Sequence, residues 1–323
     1  MDDSKINKNS ECRTGEFSSS QVKFENEIEF RELIRVIWKG KFIVLIVTAI
    51  FVLASVIFAI NQPNIYKSEV LLVPAEHEGR GSLSGLAGQF GGLASLAGVS
   101  LDGGGGGKTQ LALQILRSRQ FTSAFIQKHK VLPELMASRS WSRETNKLNY
   151  DEEMFNAENS EWVRKVSAPF KPTPSMQEAY KVFSKLLSVS NDEDTGIVTL
   201  SIQHLSPYIA QKWVTWLVED INLTMKERDV IEAEKSTVYL QRQLEQTNVA
   251  DIREVLYRLI EEQTKTIMFA NVRDEYVFKT IDAALVPEEK FKPNRALILI
   301  LGAMFGGMFA VILVLVRYFA SGS

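Results

Sequence analysis

Two uncharged apolar runs, residues 42–60 and 296–316, lie toward opposite ends of this chain. Each has the about 20 residues that an α-helix needs to cross roughly 30 Å of hydrocarbon. Fourteen residues of the first run are Leu, Ile, Val or Phe. At roughly −0.3 to −0.6 kcal/mol for each such residue, insertion of the run into a bilayer is favourable. The first run begins about 40 residues into the chain and offers no small-residue cleavage site, which predicts an anchor and not a signal peptide. Residues 61–295 are therefore expected to form one loop that leaves and rejoins the membrane at the same face.

Orientation follows from charge. Arg31, Arg35, Lys39 and Lys41 crowd the start of the first run, with Trp38 as an interfacial anchor. Lys and Arg favour the cytoplasmic side, so residues 1–41 are expected there, and two spans return residues 317–323, with Arg317 and Tyr318, to the same side. Lys290, Lys292 and Arg295 then fall on the outer side. Long loops translocate largely regardless of charge, so the first span decides. The net charge of −2 does not suggest nucleic-acid binding. The only cysteine, Cys12, falls in the cytoplasmic tail, so the outer loop is expected to fold without a disulfide. At this length it can bury a core unaided. The first about 24 residues are polar and rich in Ser and Asn, a composition that forms no core.

Within the loop, residues 66–73 read as a strand ending at Pro74. Residues 79–107 are rich in Gly, Ser, Leu and Ala, too small for an ordinary core element. Residues 109–130 have helical spacing in Leu111, Ile115, Phe121, Phe125 and Ile126, and residues 176–188 also read as helix. Residues 133–175 resist assignment. Residues 197–203 alternate, with Val198, Leu200 and Ile202 on one face, as in a half-buried strand. Ser206-Pro207 then opens a helix, with proline where its missing N–H costs nothing. From Tyr208 to about Thr247 there is no Gly and no Pro. Ile209, Trp213, Leu217, Ile221 and Met225 make an i, i+4 stripe, after which the segment is dense in charge: Lys226, Glu227, Arg228, Asp229, Glu232, Glu234 and Lys235. A helix of this length runs about 60 Å, so its far half is expected to project. A second helix over 249–272 is expected to pack antiparallel against Val238, Leu240 and Leu244. Residues 276–286 return as a strand. The expected architecture is an α+β membrane protein: two transmembrane helices flank an outer domain with a small membrane-proximal α/β base (about 61–206 and 273–295) and a projecting helical hairpin (about 207–272).

Catalytic signals are weak. Asp102-Gly-Gly-Gly-Gly-Gly-Lys108-Thr109 resembles a phosphate-binding loop, but Asp102 stands where the loop's first glycine is needed and no buried strand precedes it. A flexible glycine loop is the expectation. His77, His129 and His204 are scattered, which speaks against a metal site. Asp192-Glu193-Asp194 and Glu152-Glu153 are read as solvated turns. The second run carries Gly302-x3-Gly306, continued by Ala310, a groove of small residues where another helix can approach closely. Its expected occupant is the Ser55-x3-Ala59 face of the first run or a neighbouring protomer.

Pro287-Glu-Glu-Lys-Phe-Lys292-Pro293-Asn-Arg295, followed by a hydrophobic run containing Gly306-Gly307-Met308, resembles the proline-rich signature of polysaccharide co-polymerases, notably the Wzz-type O-antigen chain-length determinants. That signature has Ser-Pro-Lys about a dozen residues before Gly-Gly-Met. Here the tripeptide is Lys292-Pro293-Asn294, so only its proline is kept while the spacing is preserved. Tyr66 to Pro74, Leu116-Arg117-Ser118-Arg119 and Ser206-Pro207 add to the resemblance, which covers most of residues 27–317 and is weak over 131–175. It implies an inner-membrane protein with a periplasmic domain, a ring-shaped homo-oligomer, and a non-enzymatic role without cofactor. That role is to set the modal length of a lipid-linked polysaccharide together with a separate membrane polymerase. Some relatives end in a tyrosine kinase domain, and with seven residues after the second run no fused kinase is expected here. A co-polymerase for capsule or exopolysaccharide export, with a separate kinase, is the nearest alternative. A two-span sensor is a further one, although about 41 residues before the first span are too few for an output domain. The charged segment from Lys226 to Lys235 is expected to form interprotomer salt bridges or line a lumen.

Overall fold

The computed structural model describes residues 38–75 and 105–321. Its order is α1 (Lys41–Asn61), β1 (Tyr66–Pro74), α2 (Gly105–Leu116), α3 (Arg119–His129), α4 (Leu132–Met136), β2 (Ser138–Ser142), β3 (Lys147–Tyr150), β4 (Phe155–Asn156), β5 (Glu161–Trp162), α5 (Met176–Leu186), β6 (Leu187–Asn191), β7 (Val198–His204), α6 (Pro207–Gln246), α7 (Ala250–Val272), β8 (Phe278–Asp282) and α8 (Arg295–Ser321). The chain divides into two compact units. One holds residues up to Phe58 and from Ala296 onward; the other spans Ala59–Arg295.

The first unit is built on α1 and α8, both long and apolar enough to cross a membrane. α8 continues to Ser321, beyond Val316 where the apolar run ends. A helix satisfies its own backbone hydrogen bonds, so it can carry Arg317 and Tyr318 past the hydrocarbon.

The second unit is an α+β domain on an antiparallel sheet ordered β6-β7-β1-β8. β1 and β7 are in register from Tyr66↔His204 to Leu72↔Val198. Val70, Leu72, Val198, Leu200 and Ile202 are buried on its core face. Against them lies the first half of α6, whose Ala210, Trp213, Leu217, Ile221 and Met225 are fully buried. The i, i+4 stripe read from sequence is thus the core face of α6, except that Ile209 is only half-buried. Ser206 caps the helix by accepting from the Ile209 amide, with Pro207 in the first turn.

Four sequence expectations need correction. Residues 109–130 form two helices, because Ser118 turns extended (φ −74°, ψ 150°) and its hydroxyl accepts from Phe121 N to cap α3. A hydroxyl able to satisfy a helix N-terminus competes with helix continuation. The helix over 176–188 ends at Leu186, and the next five residues pair with β7 as β6, an extra edge strand. The strand over 276–286 shrinks to Phe278–Asp282, and its pairing to β1 is broken by a register shift at Leu71/Leu72. Finally, Val238 is 57% exposed and is no packed contact, whereas Leu240 and Leu244 are partly covered. Residues 133–175 resolve into α4 and two short hairpins, β2–β3 and β4–β5.

Candidate functional site

The small-residue groove of α8 is filled by α1. A Cβ placed on Gly302 would lie 1.9 Å from Ser55 Oγ and 2.7 Å from Ser55 Cβ; one on Gly306 would lie 2.6 Å from Phe51 Cβ and 3.3 Å from Thr48 Cα. Only glycine lets the two backbones come this close. Ala310 is fully buried, and Val314, one further helical turn along, packs where a Cβ on Gly40 would be 2.7 Å from its Cγ1. Gly302, Gly306, Ala310 and Val314 therefore run antiparallel along α1. Gly307, by contrast, has open space around its Cα, and Met308 is 58% exposed.

The segment before α8 is tied to the segment after α1. Ile65 N donates to Lys292 O at 2.9 Å, while Phe291 N and Lys292 N donate to Ile65 O at 2.8 and 3.1 Å. Pro293 is buried and its peptide bond to Lys292 is cis. Pro287 is half-buried. Lys292 Nζ donates to Gln203 Oε1 at 3.2 Å, and Arg295 Nη2 to Asn64 Oδ1 at 3.4 Å.

In the charged stretch of α6, Glu227, Arg228, Glu232, Glu234 and Lys235 are exposed and Lys226 is half-buried. Asp229 differs from them. Its Oδ2 accepts from Lys108 Nζ at 2.6 Å and from the Tyr276 hydroxyl at 2.6 Å, and its side chain is only 13% exposed. Burial, then the Asp229 carboxylate, push the Tyr276 phenol upward. Asp229 is thus an internal tie between α2, α6 and the approach to β8, which corrects its placement among surface or lumen charges. Lys108 is its partner and lies within α2, as do Gly105 to Gly107. These three glycines are helical, contrary to the expected loop, whereas residues 79–104, with Asp102, lie outside the described residues.

His129 Nε2 lies 2.9 Å from Asp220 Oδ2 and its ring stacks on Trp216 at 4.1 Å; Lys128 Nζ meets the other Asp220 oxygen at 2.5 Å. His204 is buried. The Ser206 amide donates to its Nδ1 at 3.0 Å and its Nε2 faces Glu134 O at 3.2 Å. His77 lies outside the described residues. Asp192 accepts from Asp194 N and from the Thr195 hydroxyl within a turn, and the turn bonds hold its carboxyl below the usual range. Glu152 and Glu153 are exposed on another turn. Glu178 is a half-buried carboxylate on α5. It caps α5 with Ser175 and takes both Arg164 nitrogens at 2.9 and 3.0 Å, which hold its carboxyl at about 2.

Sequence reasoning missed Asn222. Its Oδ1 accepts from Val277 N and Phe278 N at 2.8 and 2.9 Å, and its Nδ2 donates to Phe278 O at 3.1 Å. The available signal was its position: one residue after Ile221 and three before Met225, it is an amide on the buried face of α6.

Comparison with known proteins adds the decisive observation. Residues 26–129 match the family model described as Wzz, chain length determinant protein. Over this stretch the chain is similar to Wzz chain-length determinants. The Wzz match covers the first span, β1, α2 and α3, and residues 232–319 match a second model, the G-rich domain on putative tyrosine kinase. That second match covers the distal part of α6, all of α7 and most of α8. A search of curated proteins finds no match. Among solved structures, a full-length bacterial polysaccharide co-polymerase is 11% identical, with TM-score 0.38, over 91% of this chain and 99% of that one. A fragment of WzzB, a polysaccharide co-polymerase from Salmonella Typhimurium, is 12% identical, with TM-score 0.27, over 71% and 100%. A point mutant of the Shigella flexneri lipopolysaccharide O-antigen chain-length regulator is 10% identical, with TM-score 0.18, over 70% and 99%.

Proposed function

We propose that the protein is a non-enzymatic regulator of the modal chain length of O-antigen or a related lipid-linked polysaccharide, working in the bacterial inner membrane as a homo-oligomer beside a separate polymerase. The observation that carries this is the Wzz match over residues 26–129, joined to two apolar helices that bracket one α+β domain. The basic residues before the first span support a cytoplasmic position for both termini and a periplasmic one for residues 61–295. Two parts of the Pro287–Met308 segment support it: Phe291 and Lys292 are hydrogen-bonded to Ile65, and Gly302 and Gly306 seat α8 on α1. Deleting the gene is expected to change the banding of surface polysaccharide on a gel, and restoring it to return the modal band. An unchanged ladder contradicts the reading.

Exposed charges on α6, namely Glu227, Arg228, Glu232, Glu234 and Lys235, with half-buried Lys226, serve contacts between protomers or face a lumen. Exposed pairs contribute about 0–1 kcal/mol each, so they tune assembly without driving it. Reversing Glu232, Glu234 and Lys235 together should alter oligomer size or modal length; a variant with both unchanged rejects this role.

A second reading is favoured by the match to the G-rich domain on putative tyrosine kinase. Under it the chain serves capsule or exopolysaccharide export together with a separately encoded kinase. Loss of exported polymer in the deletion strain, with O-antigen banding intact, selects this reading.

A further inference from the structure

The cations outside the second span oppose the sorting of Lys and Arg to the cytoplasmic side, and the fold shows how they are held. The Ile65–Lys292 bridge sets the Lys292 ammonium 5.1 Å from the centre of the Phe291 ring, and Lys67 Nζ lies 5.5 Å from the same centre. Lys67 is neutralised by Glu69 Oε2 at 2.6 Å. Lys292 and Arg295 are exposed, and their side chains donate to the neutral amide oxygens of Gln203 and Asn64. Among the described residues neither makes a salt bridge, although Glu288 and Glu289 are exposed on the same segment. Two cationic side chains are thus positioned by neutral acceptors, the amide oxygens of Gln203 and Asn64.

Connectivity places them. Asn64 follows closely on Asn61, the last residue of α1, and Arg295 is the first residue of α8. Given the two-span reading, the chain can take this group no further than the headgroup layer. An ammonium and a guanidinium with uncommitted charge at that level match one chemistry, the oxygens of a phosphate, which arginine can take in bidentate fashion.

We propose that Lys292 and Arg295, flanked by Gln203 and Asn64, bind the phosphate or diphosphate headgroup of a membrane lipid in the outer leaflet. The site rests on the two-span reading and deepens the proposed function, because a lipid-linked polysaccharide carries such a headgroup. Ordinary anionic phospholipid carries the same chemistry.

The test uses the full-length protein in phosphatidylcholine nanodiscs supplemented with either a polyprenyl diphosphate or phosphatidylglycerol, and reads retained lipid by native mass spectrometry. Removing a cation near a charged lipid surface weakens retention roughly fivefold, so the double variant Lys292→Gln with Arg295→Gln should lose roughly 25-fold. Lys292→Arg should retain lipid. Loss for the diphosphate alone assigns the site to the lipid-linked substrate, and loss for both lipids assigns it to anionic headgroups generally; either supports the proposal. Unchanged retention of both lipids in a double variant of normal oligomer size overturns it. Should that variant misfold, soluble pyrophosphate added to the wild-type protein must displace the retained lipid, and failure to displace it also overturns the proposal. Because retention is read on purified protein, its outcome is separate from the polysaccharide ladder. Lost retention with an unchanged ladder keeps the site and rejects length control.

Discussion

Asn222 shows how much one side chain can hold in this fold. It satisfies two backbone amides and one carbonyl where the chain turns into β8. Replacing it with alanine orphans those groups in a buried place, at about 1–3 kcal/mol for an unsatisfied group. Chemical denaturation of Asn222→Ala should show a loss of that size, and a loss under about 0.5 kcal/mol would contradict the clamp. His204 makes a second prediction. Ser206 N–H points at Nδ1, so that nitrogen must stay unprotonated, and burial lowers the imidazole to about 4 from 6.5. Its folded value lies below its unfolded one, so the unfolded state binds more protons between them. Stability is full above about 6.5 and falls as pH drops toward 4, by on the order of 3 kcal/mol for this group. Denaturation curves of wild type and His204→Gln should diverge across that window; parallel curves would refute the assignment. In the sequence His204 is legible only as a histidine without metal-spaced neighbours. Its bonds to Glu134 and Ser206 join residues 70 and two positions away, and only the fold brings the former close.

At the scale of elements, the small residues of α8 specify its fit to α1. Gly302→Ala drives a methyl into Ser55, and Ser55→Gly should relieve it. Overpacking of this kind costs roughly 1–3 kcal/mol, so thermal stability in detergent should fall for Gly302→Ala and recover in the double variant. Gly306→Leu should disturb the pair more strongly, because Thr48 backbone stands behind Phe51. Gly307→Ala is the control and should be neutral. Equal effects at Gly306 and Gly307 would contradict the antiparallel register. Legibility at this scale was uneven for physical reasons. The spans, α6 and β7 were readable because burial imposes long periods on them. β6 was not, because its Leu187-Ser-Val-Ser-Asn191 continues a helical pattern and becomes a strand only by pairing with β7. The split at Ser118 had a local signal, a serine three residues before Phe121, that the apolar spacing on either side concealed.

At the scale of the molecule, the chain is one α+β domain between two apolar helices, with a hairpin of α6 and α7 whose far part is mostly solvent-exposed. The tempting Gly-Lys-Thr resolves into structure: Lys108 is an ion-pair partner of Asp229 and serves the packing of α2 on α6. The Pro287–Met308 signature was legible as a motif, but its work was not, because Ile65, Asn64 and Gln203 lie far from it in sequence. What remains is whether this scaffold sets length without making bonds. The most direct measurement compares deletion and restored strains for both the length distribution of the surface polymer and the total sugar incorporated. A regulator predicts that the distribution loses its modal length while the total is unchanged. A fall in total sugar with the distribution's shape preserved would contradict the account and point to a part in synthesis itself.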